Sequence, residues 1–155
     1  MREPVTAYLG LGANLGDPVV ALDLAVQQLA CSPGITVVAQ SSHYCSAPID
    51  SSGPDYTNAV VQIATTLTAP QLLVCLQAME AGAGRERPYR NAPRTLDIDI
   101  LLFGDAQVYS PALCIPHPRM WQRAFVLLPL AELAPRQVTA AQLRTVAGQG
   151  IRRMH

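Results

Sequence analysis

The segment Asp97-Ile98-Asp99-Ile100-Leu101-Leu102-Phe103 opens on an alternation of acidic and apolar residues that an extended strand satisfies and a helix does not. In that conformation Asp97 and Asp99 project from one face, while Ile98, Ile100 and Leu102 project from the other into a core. The two carboxylates then stand about 6–7 Å apart at the backbone, close enough to repel unless positive charge lies between them. Hard divalent cations suit such a pair, and Mg²⁺ held by one or two carboxylates together with substrate phosphates is a common arrangement.

Immediately upstream, Arg85, Arg87, Arg90 and Arg94 fall within ten residues, and Pro88 and Pro93 among them forbid a regular helix. Guanidinium groups bind phosphate bidentately, so this loop beside a dicarboxylate reads as a clamp for a metal-bound polyphosphate. A D-x-D on a strand is by itself most often a solvated face, and an arginine run most often a surface loop. Their adjacency favours a site, because exposed ion pairs contribute only about 0–1 kcal/mol each and give little reason to gather so much charge.

Charge is scarce elsewhere. Charged residues make up 14% of the 155, half are hydrophobic, and 11 basic residues balance 11 acidic ones. The length suits one domain over residues 1–155, with a tail from about 148 expected to fray. Zero net charge argues against a nucleic-acid partner, which needs a broad basic face. All 11 basic residues are arginine, which excludes a Walker-type phosphate loop, a Schiff-base mechanism and a kinase-type phosphate lysine. Cys31, Cys45, Cys75 and Cys114 lack metal-binding spacing and read as reduced core residues of a cytoplasmic protein. No apolar run approaches the roughly 20 residues needed to cross a bilayer, and no signal-segment pattern is present, so no membrane partner is expected.

Along the chain, Val5 to Leu11 reads as a buried strand, and Gly10-Leu11-Gly12-Ala13-Asn14-Leu15-Gly16 as a tight connection into a helix. Asp17 is the N-cap with Pro18 at the first helical position, and Leu22, Ala25, Val26 and Leu29 recur at helical spacing. A second strand is expected from Ile35 to about Tyr44, followed by a turn-rich loop from Ser46 to Asp55 suited to a flap, and a third strand opening with Tyr56-Thr57-Asn58. Thr68 and Gln71 form a capping box for a second helix, on which Gln77 and Glu80 share one side. After the acidic strand, Gly104-Asp105 turns into Gln107-Val108-Tyr109 as a hairpin partner, and His117 is presented from a loop between two prolines. A helix from Ala124 to Leu133, bent at Pro129, and a short one capped by Thr139 complete a layered α+β sheet.

The run Arg90-Asn91-Ala92-Pro93-Arg94-Thr95-Leu96-Asp97-Ile98-Asp99-Ile100-Leu101 resembles the signature of the 6-hydroxymethyl-7,8-dihydropterin pyrophosphokinase family of folate biosynthesis. Gly10 to Gly16, Tyr56-x-Asn58, Gln77-x-x-Glu80, Pro116-His117 and Arg123-x-Phe125 match it in order, so the resemblance spans residues 5 to about 135. It implies a ferredoxin-like fold with a mostly antiparallel sheet, two Mg²⁺ ions, and transfer of diphosphate from ATP to the pterin hydroxymethyl group with release of AMP. It implies Asp97 and Asp99 as metal ligands, Arg85 and Arg94 as catalytic residues stabilising charge on the transferring group, and Arg87 and His117 as phosphate contacts. Gln77, Glu80 and Ile100 would lie on the nucleotide side. Tyr56 and Phe125 would sandwich the pterin, Asn58 would read its polar edge, and backbone groups near Ser46 and Ile49 would complete the pocket. Small-molecule substrates are implied, a monomer is the favoured state although the sequence does not fix it, and the sequence singles out no general base. Asn91 stands where the family commonly has tryptophan, which implies altered nucleotide affinity.

Three rivals fare less well. An impaired relative would lack one of the acids or Arg85 or Arg94, and all are present. An RNA-binding module needs exposed aromatics on adjacent strands, and five Tyr, two Phe and one Trp supply few. A metal-dependent nuclease could use the acid pair, but the neutral balance leaves little to track a nucleic-acid backbone.

Overall fold

The computed structural model describes residues 3–14, 16–47, 55–83 and 96–154. The elements run β1 (Val5–Ala13), α1 (Pro18–Cys31), β2 (Ile35–Gln40), β3 (Tyr44–Ser46), β4 (Tyr56–Thr65), α2 (Ala69–Ala83) and β5 (Asp97–Phe103). They continue with β6 (Val108–Tyr109), β7 (Cys114–Ile115), α3 (Ala124–Leu133), α4 (Ala140–Thr145) and β8 (Ile151–Arg153). The strands β5, β1, β4 and β2 lie side by side in that order, each pair antiparallel, which with the two crossover helices is the expected ferredoxin-like α+β arrangement.

Local chemistry starts the helices where the sequence says. The Val20 N–H donates to Asp17 Oδ1 at 3.3 Å to cap α1. Thr68 and Gln71 exchange reciprocal bonds of 2.8 and 3.2 Å ahead of α2.

The sheet separates two cores. On one face Leu9, Leu11, Ala59, Val61, Ile63, Ile98 and Ile100 pack beneath Leu22 and Leu29 of α1 and Leu72 and Leu76 of α2. On the other, Tyr8, Val60 and Leu101 pack beneath Leu127 and Leu130 of α3. Each fully buried aliphatic side chain contributes roughly 1.5–3 kcal/mol, so the alternating pattern of β1 and β4 fixes which face meets which helix.

Five expectations need correction. The strand expected over residues 35–44 is two strands, because Ser41 replaces the ladder with its own exchange: its N–H donates to Val60 O and its Oγ accepts from the Val60 N–H, both at 2.9 Å. In β5 the register against β1 slips by one, so that Ile100 and Leu102 face Leu9 and Tyr8 while Leu101 is the inserted residue of a β-bulge. Leu102 therefore joins the α3 core, not the core of Ile98 and Ile100, and Phe103 takes the place expected of it. Gly104 makes the expected turn, at φ +53°, but Val108–Tyr109 pairs with Cys114–Ile115 instead of with the acidic strand. The tail does not fray at 151–153, where β8 pairs with β3. The cysteines are free as expected, but of the four only Cys75 packs against a core, half-buried; Cys31 is exposed, and Cys45 and Cys114 are half-buried outside both cores. A further slip between Val37 and Ala39 leaves Val38 bulged and exposed on β2.

Candidate active site

α3 covers only part of its face of the sheet. Beyond its first turn lies a cavity of about 290 Å³ with Gly10, Gly12, Asn58, Asp97, Asp99 and Leu101 on the sheet side. Arg123, Phe125 and Val126 at the start of α3 form one wall, and Ser46, Ala47 and Tyr56 another. The volume and the largely apolar walls suit one flat small molecule.

The opening depends on two residues without side chains. Gly12 pairs with Asn58 on β4 and with Asp97 on β5, while Gly10 pairs with Val60 and with Asp99. Both glycines project toward this face, so the floor between the amide and the acids is bare backbone. The turn expected of Gly10 and Gly12 does not form there. They lie inside β1, and only Gly16, at φ +61°, takes the left-handed conformation of a connection.

Asn58 is buried at 4% exposure, and a buried amide needs partners. Its Nδ2 donates to Ser46 Oγ at 2.8 Å and more weakly to the Tyr44 carbonyl at 3.5 Å. Because a carbonyl can only accept, the amino group faces β3, and the oxygen is turned toward Gly12 and the cavity. Asn58 thus offers an acceptor to whatever donor edge enters.

Asp97 and Asp99 both lie on the cavity side of β5 at intermediate exposure. Glu80 reaches them from near the end of α2, where its Oε2 accepts from the Ile98 N–H at 2.9 Å. Burial pushes the Glu80 carboxyl up to about 7. The Ile98 N–H opposes that rise, whereas a hydrogen bond with the Asp97 side chain and the charges of both aspartates add to it. His117 approaches from the other side, with Nε2 3.9 Å from Asp99 Oδ2, and its N–H donating to the Leu101 carbonyl at 3.0 Å. The Arg119 N–H donates to His117 Nδ1 at 3.2 Å, so in the neutral ring the proton sits on Nε2, facing the acids. Burial lowers the His117 pKa and the Asp99 charge opposes the fall, with Arg123 and Arg119 lowering it further.

The donor set fits a hard cation of partial protein coordination. Among the described residues no group of three or more His, Cys, Asp or Glu side chains could close a metal cage. Two oxygen-bearing acids with open space in front suit Mg²⁺, which keeps water and phosphate oxygens in its shell.

Of the site residues read from the sequence, Ser46, Tyr56, Asn58, Asp97, Asp99 and Phe125 surround this one cavity, with Glu80 and His117 touching its acidic corner. Gln77 is exposed on α2 and does not line it. Ile100 is 4% exposed in the opposite core, because its position on the strand turns it away from the aspartates, which leaves only its main chain for a ligand. Arg85, Arg87, Arg94 and Ile49, with Asn91, lie outside the described residues. Arg123 is marked in the sequence only through its motif with Phe125, which by itself assigns it no role. It lines the cavity with its guanidinium 5.3 Å from the Phe125 ring centroid, a cation–π distance.

Residues 8–135 match the family model described as 7,8-dihydro-6-hydroxymethylpterin-pyrophosphokinase. A 2-amino-4-hydroxy-6-hydroxymethyldihydropteridine pyrophosphokinase of Methylorubrum extorquens is 48% identical over 130 residues, covering 83% of this chain and 82% of that one. A protein of the same name from Synechocystis is 42% identical over 140 residues, covering 90% and 72%. Among solved structures, an HPPK-DHPS triple mutant of Plasmodium falciparum superposes with a TM-score of 0.70 at 15% identity, a likeness of fold that covers 87% of this chain and 40% of that longer one. Matched over most of its length by the family model and by these relatives, this chain belongs to the 7,8-dihydro-6-hydroxymethylpterin-pyrophosphokinase family.

Proposed function

We propose that the cavity and the acidic corner beside it are two halves of one transfer site, the first for the pterin and the second for the magnesium complex of ATP. As a member of its family the chain transfers diphosphate from ATP to the hydroxymethyl group of 6-hydroxymethyl-7,8-dihydropterin, releasing AMP, in folate biosynthesis. One feature supports this assignment of halves above the others: Asn58 and Asp97 face the same open space across Gly12, about 10 Å apart at two inter-strand spacings. An acceptor for one substrate thus lies a short reach from the acids that would hold the other.

In this reading Tyr56 and Phe125 hold the pterin ring, and the Asn58 oxygen accepts from its donor edge, which points the hydroxymethyl group toward β5. Asp97 and Asp99 would hold two Mg²⁺ ions, which when bound would neutralise phosphate charge. The Nε2–H of His117 donates to a phosphate oxygen, and Arg85, Arg87 and Arg94 add charge on the nucleotide side, with Gln77, Glu80 and the Ile100 main chain behind it. Arg123, with its guanidinium over the Phe125 ring, lines the same cavity and would add positive charge beside the pterin. Catalysis of this kind rests on orientation and charge stabilisation more than on covalent chemistry.

The test is AMP formation from ATP and hydroxymethyldihydropterin. AMP should appear only with both substrates and Mg²⁺, and stop on chelation. Undiminished turnover in excess EDTA would remove the metal from the scheme.

A further inference from the structure

We propose that Gln149 is a positioning residue for the pterin cavity, acting through the turn that opens α3. This rests on the reading that Phe125 walls the pterin site. The first N–H groups of a helix have no partner inside it, and a side chain at the N-cap ordinarily supplies one. Arg123, the N-cap of α3, makes no such bond, and its guanidinium lies over the Phe125 ring instead. The missing partner comes from 25 residues further along the chain. Gln149 Oε1 accepts from the Ala124 N–H at 2.8 Å, and its Nε2 donates to the Gln122 carbonyl at 2.8 Å. One amide therefore holds both sides of Arg123, and the two residues flanking Ala124 are the cavity-lining Arg123 and Phe125.

Gln149 is itself held at both ends. Val146, 2% exposed, is buried in the α3 core, and the Gln149 N–H donates to its carbonyl at 3.1 Å. Two residues further on, Ile151 of β8 pairs with Ser46 of β3, the residue that accepts from the Asn58 amide. The segment thus ties the Phe125 wall and the Ser46 wall to one frame, and it lies outside the residues 8–135 that match the family model. A glutamine that only added stability could cap any helix end; this one caps the end from which the pterin wall projects.

The experiment compares Gln149→Met, Gln149→Glu and Phe125→Ala with the wild type, measuring kcat, the KM of each substrate and Tm. Methionine keeps the length and loses both hydrogen bonds, so Gln149→Met should raise the pterin KM about fivefold with kcat and the ATP KM within about twofold. Glutamate still accepts from Ala124 but cannot donate to Gln122, so Gln149→Glu should fall between. Phe125→Ala should raise the pterin KM further. A wild-type pterin KM in Gln149→Met beside a raised one in Phe125→Ala overturns the proposal, as does a parallel rise in both KM values with a lowered Tm. An unchanged pterin KM in Phe125→Ala overturns the cavity assignment and the inference together.

Discussion

A Cβ atom on Gly12 would sit 3.3 Å from Asn58 Oδ1, its partner across β1 and β4, and 3.7 Å from Tyr56 Cδ1. The residue serves the site by leaving space. Gly12→Ala should fold, since its backbone is ordinary strand, but should weaken pterin binding about tenfold, or about 1.4 kcal/mol, by pressing on the amide. Gly10→Ala would meet the Leu101 side chain at ordinary contact distances, the nearest atom being Cδ2 at 3.4 Å, and should cost less. Fluorescence titration with the pterin checks the order, and equal affinity in all three proteins would show that the floor is not crowded.

Asn58 is held by Ser46 before any ligand arrives. Asn58→Ala should therefore lose both the acceptor and the preset geometry, lowering pterin affinity by about 5- to 150-fold, from about 1–3 kcal/mol for a buried hydrogen-bonding group. Ser46→Ala, which leaves the acceptor but frees the amide, should lose less. Calorimetry with pterin and, separately, with an ATP analogue reads this out, and equal losses for both ligands would contradict the division of the site.

Asp97→Ala and Asp99→Ala each remove one of the two acids on the open side of β5. Neither belongs to a core, so circular dichroism and Tm should stay close to the wild type. Turnover in Mg²⁺ should fall more than about a hundredfold, the scale expected when a preorganised electrostatic contact is lost. Activity of more than a few per cent in either variant would contradict the metal assignment.

Glu132, near the end of α3, accepts from the Ser42 N–H at 2.9 Å and from the Tyr44 hydroxyl at 2.8 Å, and lies 4.0 Å from Arg153. Burial raises its carboxyl, but these donors and the Arg153 charge outweigh that and hold its pKa below the usual value. A depressed carboxylate stabilises the fold above its unfolded pKa, and that stability disappears as pH falls through the folded value. Wild-type unfolding midpoints should therefore drop below about pH 4.5. Glu132→Gln should flatten this acid limb and cost about 1 kcal/mol at neutral pH, since the site is partly exposed. Burial, with the Glu132 bond, pushes Tyr44 up to about 12, so a second loss is expected as pH rises above 10. Urea titrations across pH measure both limbs, and an acid limb in Glu132→Gln as steep as the wild type's would exclude Glu132 as its source.

Much of this was legible in the sequence because the governing forces are local. Capping at Asp17, Thr68 and Thr139 needs only neighbours, and the period-two patterns of β4 and the start of β5 state which side is buried. What escaped depended on partners distant in sequence. Nothing between Ile35 and Tyr44 says that Ser41 will trade its ladder bonds with Val60, and nothing in Leu101-Leu102 says which residue β1 will skip. β8 has only three residues and takes its strand character from β3. The acids, the amide and the aromatics were found through their motifs, whereas Gly10 and Gly12 were assigned to a turn because a glycine's role depends on which neighbours surround the missing side chain.

The bulge at Val38 bears on how the molecule behaves among its own copies. Among the described residues β2 has no strand on its outer side, and a straight apolar margin there would invite another chain to add to the sheet. The extra residue twists that margin out of line, so Val38, at 55% exposure, protrudes where an incoming strand would need a flat template. Restoring a regular ladder by deleting Val38 would tidy the pairing and, by the same act, open the molecule to aggregation.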